Sequence, residues 1–160
     1  PEEHIRIMYV SGQLAKLFVG LSNRAQALEE GDYASAMETY IEDARDELEA
    51  IVEEYNDQEF ETDTGGESRI GNVDSLQRAV DAASDVLDTV EDIDDPWSEN
   101  DLETIARLFN EATLVVETAA LDFLRIHDGS DLQIVDDFAP EMEALESQEE
   151  GVVSGKSWEP

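Results

Sequence analysis

Carboxylates are the groups in this sequence whose number and spacing suit chemistry. Glu38, Glu42, Asp46, Glu49 and Glu53 recur at three- and four-residue steps, and so do Asp81, Asp85, Asp88 and Asp92. On a helix, such steps bring side chains to one face. Two facing helices of this kind would offer oxygen ligands to Mg²⁺ or Mn²⁺. Glu42, Asp46, Asp81, Asp85 and Asp88 are the metal-ligand candidates of that arrangement. The opposing reading is a solvated face, because with 42 Asp plus Glu in 160 residues such pairs also arise by chance.

In its acidic helices the chain resembles MazG-type nucleotide pyrophosphohydrolases and PhoU-like phosphate-signalling bundles. That resemblance implies a divalent-metal-binding helical bundle, an enzyme in the first case and a regulator in the second. It covers the second and third helical segments only. The pattern EExxE followed by ExxD is not found; Glu53, Glu54 and Asp57 give EExxD.

Other chemistries have less to build on. There is no cysteine, which excludes disulfides, thiolate metal sites and cysteine nucleophiles. His4 and His127 are the only histidines. A di-iron bundle needs Glu three residues before each histidine, and here those positions hold Pro1 and Leu124. Arg125 is too close to His127 for a ribonuclease-type Arg-x4–6-His pair. His127 suits the negative end of its own helix. Gly65-Gly66 lacks the Lys-Ser/Thr of a phosphate loop, and no Ser/His/Asp set is evident. The expectation is a protein that is not an enzyme and has no cofactor.

The elements that would position these residues are helical. The clearest is Leu102–His127, where Leu102, Ile105, Phe109, Ala112, Val116, Ala119 and Phe123 form one stripe. Leu108, Val115, Ala120, Leu121 and Leu124 widen it, so this helix reads as the central wall of the core. Ile7, Val10, Leu14, Leu17, Leu21 and Leu28 keep a heptad in a first helix at about 3–29. Gly31 suits a left-handed cap at its end. Gly20, in mid-helix, marks close approach of a neighbour. Met37, Ile41, Ala44, Leu48, Ile51 and Tyr55 give a second helix at about 32–55, with Asp32 as N-cap. A short turn makes these two an antiparallel hairpin.

Residues 56–72 carry Gly65, Gly66 and Gly71 and little apolar content, a long connection. Val73, Leu76, Val80, Ala83, Leu87 and Val90 define a third helix at about 73–93, with a capping-box pattern at Asp74–Gln77. Asp94-Asp95-Pro96 breaks it. Trp97 packs over the helix ends, and Ser98 with Asp101 caps the fourth helix at about 99–127. Residues 132–140 suit an extended segment on the bundle. A short helix is expected at about 140–148, and 149–160 read as a flexible tail. Residues 1–148 form one domain on this reading.

Composition sets the solvent. Nine Lys plus Arg stand against 42 acids, for a net charge of -33, and only Lys16 and Lys156 are lysines. Such a surface resembles the proteome-wide style of salt-accumulating haloarchaea. At about 1 M salt the Debye length is roughly 3 Å, so the carboxylates barely repel and hold hydrated cations, here bulk K⁺. No basic stripe exists to meet phosphates, which argues against direct nucleic-acid binding. No charge-free run approaches the ~18 residues of a membrane span. No signal segment opens the chain, so a cytoplasmic location is expected; Pro1 in place of Met reads as a trimmed start.

Two features point to association. Met8, Tyr9, Phe18 and Val19 make the first helix apolar on more than one face, as a subunit interface or a crowded bundle centre requires. Arg24 interrupts the first heptad, either to fix register or to snorkel at the helix end. The expected fold is all-α, a four-helix bundle of two antiparallel hairpins or a dimer that assembles one, with a C-terminal extension. The expected function is a halophile-adapted intracellular interaction or regulatory module. It would self-associate through helices one and four, as a homo-oligomer or with a helical protein partner.

Overall fold

The computed structural model describes residues 2–27, 31–61 and 73–127, with 129, 132 and 135. It contains α1 (Glu2–Gln26), α2 (Asp32–Glu61), α3 (Asp74–Glu91) and α4 (Glu99–Ile126). Each helix buries the stripe its spacing dictates: Val10, Leu14, Leu17 and Leu21 on α1, and Ile41, Ala44, Leu48, Ile51 and Tyr55 on α2. The α3 stripe is Leu76, Ala79, Val80, Ala83, Val86 and Val90. That of α4 is Ile105, Phe109, Ala112, Val116, Ala119 and Phe123.

The four stripes meet in one core. Sequence neighbours pack side by side, and α1 also packs on α4, which closes the ring; α1 and α3 lie across its diagonal. The ring is antiparallel. The start of α1 lies beside the end of α4, where Arg6 Nη1 donates to the Gly129 carbonyl at 3.2 Å. Arg24, near the end of α1, lies 4.9 Å from the Phe109 ring in the first half of α4. The molecule is an all-α four-helix bundle.

The helix ends show which local signals were used. Ser98 Oγ accepts from the Asp101 N–H at 3.1 Å, and Asp101 Oδ2 accepts from the Ser98 N–H at 2.9 Å, the expected capping box. The box expected at Asp74–Gln77 does not form. Val73 occupies the N-cap with no side-chain cap, and Asp74, already helical, pairs with Arg78 at 3.1 Å. Gly31 is not in the left-handed region. α1 ends earlier, at Gln26, and the Gly31 carbonyl accepts from the Ser35 N–H at 2.9 Å. Gly31, rather than Asp32, therefore stands just outside the first turn of α2. α2 runs to Glu61, past the expected stop near Tyr55, since no glycine or proline interrupts it before Gly65.

Gly20 performs the expected close approach. A Cβ there would lie 2.8 Å from Ile41 Cγ1 and 3.1 Å from Tyr40 Cδ1. At the other end of the bundle Gly129 has φ +94°, and a Cβ on it would run into the Glu3 backbone. Leu132 and Val135 follow, both fully buried, with the Val135 N–H donating to the Leu132 carbonyl at 3.0 Å. That bond marks a turn where extended chain was expected, and the rest of 132–140 lies outside the described residues. The expected helix at 140–148, the tail at 149–160 and most of the 56–72 connection lie outside the described residues.

Candidate functional site

The carboxylate candidates separate. Glu42 and Asp88 line one cleft of about 400 Å³ between α2 and α3, together with Glu38, Glu91, Asp95 and Arg45. Asp46 tips to the other flank of α2, toward α1, and accepts from Arg45 at 2.9 Å. Asp81 is exposed and accepts from Gln77 Nε2 at 2.9 Å; Asp85 is exposed as well. No three His, Cys, Asp or Glu side chains among the described residues are grouped to hold a metal ion. The three- and four-residue steps that align carboxylates on a helix also aim them outward, because the apolar stripe already occupies the inner face.

Arg24 is buried, at 1% exposure, so it does not snorkel. Its Nε donates to Glu38 at 2.9 Å and its Nη1 to the Ala27 carbonyl at 3.2 Å. The guanidinium lies 5.7 Å from the Trp97 ring centroid and 4.9 Å from that of Phe109. Contacts with ring faces partly replace water around a cation. Nη2 is buried without a hydrogen-bond partner. Trp97 thus covers the helix ends as expected, with its own indole N–H donating to the Ile93 carbonyl at 3.3 Å. His127 is buried and stacks on Phe123 at 4.8 Å, an end-of-helix role.

The feature that stands apart chemically lies between α1 and α4. It is a trough of about 620 Å³, walled by Met8 and Phe18 on α1 and by Leu121 and Leu124 on α4. Ser11, Gly12 and Ala15 are too small to fill it. Among the described residues Glu117 is its single acidic lining residue, and no basic one lines it. Leu121 is 61% exposed and Leu124 51%, and Leu114, two turns before Leu121 on the same side, is exposed too. Leu121, Leu124 and Val115 were expected to widen the buried stripe; all three are on the surface. The stripe centred on Phe109, Val116 and Phe123 already fills the core, so residues beyond its edge face outward.

Of the four interface candidates, Met8 and Phe18 line this trough and Val19 is exposed on the same side of α1. Tyr9 is not there. It is 2% exposed and its hydroxyl donates to Glu47 at 2.7 Å, on the flank facing α2. The two apolar faces of α1 are thus the core and this trough. Leu121 and Leu124 belong to the surface and were misread, and Leu114 was passed over; the i, i+7 pairing of Leu114 with Leu121, off the main stripe, was the available signal.

Charge elsewhere binds helix to helix. Asp122 on α4 accepts from Arg78 of α3 at 2.8 Å and from Arg125 at 3.1 Å. The hydrogen bond from Arg78 first, then that from Arg125, holds the Asp122 carboxyl below the usual carboxylate range. The same bond raises the Arg78 guanidinium further above its ordinary value.

No protein-family model matches the chain, and comparisons with curated proteins and with solved structures likewise find no match. No helix among the described residues is long and apolar enough to cross a membrane.

Proposed function

We propose that this chain is a non-enzymatic helical interaction module that self-associates through the α1/α4 trough, and that it works in a potassium-rich cytoplasm. One observation carries the reading: a chain of net charge -33 keeps an apolar trough with a single carboxylate among its described lining residues. Exposed apolar surface of this kind gains about 25 cal/mol per Å² when it is covered. The small residues Ser11, Gly12 and Ala15 admit a partner's side chains close to the α1 backbone. A second copy supplies the complementary knobs, Leu121 and Phe18, in an isologous contact. At high salt the mutual repulsion of two such chains is screened within roughly 3 Å.

Light scattering in molar KCl tests this. The full chain is expected to run as a dimer. Leu121→Glu, which places a carboxylate in the trough, is expected to yield monomers of unchanged helicity. A wild-type chain that stays monomeric across the accessible concentration range overturns the reading.

A further inference from the structure

Resting on self-association through the α1/α4 trough, we propose that the second copy is related to the first by a two-fold axis parallel to the helices, so that α1 of each copy lies on α4 of the other.

The register of α1 against α4 within one chain comes first. At one end a Cβ on Gly129 would run into the Glu3 backbone; toward the other the Arg24 guanidinium lies 4.9 Å from the Phe109 ring. The stretches of chain between these two contacts are nearly equal in length, and both are helical with the same rise per residue. Positions on the antiparallel pair therefore stand level one by one: Gly12 with Leu121, Lys16 with Glu117, Val19 with Leu114. All six are exposed.

A half-turn about an axis parallel to the helices keeps every residue at its own level and sets α1 opposite the other copy's α4. Each of the three level pairs then closes across the interface, twice. Leu121 stands over Gly12, where a Cβ would meet nothing within 4 Å and where Ser11 and Ala15 leave the trough hollow. A large side chain enters a gap left by small ones, as knobs enter holes. Val19 meets Leu114, apolar on apolar. Glu117 meets Lys16, the one Lys or Arg of α1 that is not buried.

An axis across the helices inverts the levels and lays α4 on α4 and α1 on α1. Exposed leucines then oppose leucines, the hollow opposes its own copy and stays unfilled, and Glu117 is parted from Lys16. An unfilled gap forfeits the dispersion contacts that packing supplies. The parallel axis therefore matches both size and charge. It also makes the assembly polar, with the Gly129 end of both copies on the same side.

The chain has no cysteine, so single introduced cysteines report the pairing. Full-length Gly12→Cys is mixed with Leu121→Cys, and Lys16→Cys with Glu117→Cys, in molar KCl. The mixtures are left to exchange subunits and oxidised mildly. Light scattering under reducing conditions records whether each variant is dimeric. Both mixtures are expected to yield covalent dimers, and the yield is expected to fall to background when either member is oxidised alone. A covalent dimer of Gly12→Cys alone or Leu121→Cys alone would set the axis across the helices and overturn the proposal. A dimer by light scattering in which neither mixture cross-links would overturn it as well, while self-association stands. Chains that stay monomeric throughout would overturn self-association and this axis with it.

Discussion

Arg24 shows how much one side chain can cost and how the bundle offsets it. A buried cation is tolerable only with close partners, and removing one partner is worse than removing the pair. Glu38 is its single carboxylate partner among the described residues. Glu38→Ala leaves the guanidinium between Phe109 and Trp97 with the Ala27 carbonyl alone, and is expected to cost about 2 kcal/mol. Arg24→Met removes the charge and fills much of the same space, and is expected to stay within about 1 kcal/mol of the parent. Urea unfolding in molar KCl measures both; a larger loss for Arg24→Met than for Glu38→Ala would mean the cation itself stabilises the core. The oddity of Arg24 was legible in the sequence, since it breaks the heptad of Leu14, Leu17 and Leu21. Its burial was not, because burial depends on Trp97 and Phe109, which come from distant positions.

At the scale of elements, α3 and α4 are joined outside the core by the Arg78–Asp122–Arg125 group. A carboxyl whose pKa is lowered by folding adds stability that is present above its unfolded value. That stability is lost as pH falls through the lower folded value. For Asp122 the window therefore opens below about pH 4. Arg78, raised, stays charged throughout. Comparing thermal unfolding of the parent and Asp122→Asn from neutral pH downward should show a gap that is constant above about pH 4 and closes below it. A gap that persists unchanged in strong acid would assign the effect to packing. The four helices themselves were readable from the spacing of Leu, Val, Ile and Phe, and Gly20 correctly announced a close neighbour. The ends were read less well. Gly31 and Asp74 have the right residue types for caps, but the chain used Val73 and an earlier stop at Gln26. Residue type alone does not say which of several adjacent positions leaves the helix.

For the whole molecule the governing quantity is charge. Only six ion pairs are present among the described residues, against a net charge of -33 for the chain. At about 10 mM salt the Debye length is roughly 30 Å, so carboxylates on every face repel one another across the bundle. Helicity followed by circular dichroism is expected to fall as KCl is diluted to that level and to return when it is restored; full helicity in dilute buffer would sink the salt reading. Net charge was legible at once from composition. The trough was only half legible: Met8, Phe18 and Val19 signalled a second apolar face on α1. Its opposite wall was hidden because Leu121 and Leu124 look like core residues until Phe123 and Val116 are seen to fill it.

The contact that closes the ring has a consequence in time as well as in space. Arg6 and Gly129 are 123 residues apart in sequence, while each hairpin is made by near neighbours. Loop closure over such a distance is entropically slow, so the first and last helices are the pair that must wait. The trough has one wall on each of them. It therefore comes into being only when both helices are in place, and a half-made chain carries no assembled trough.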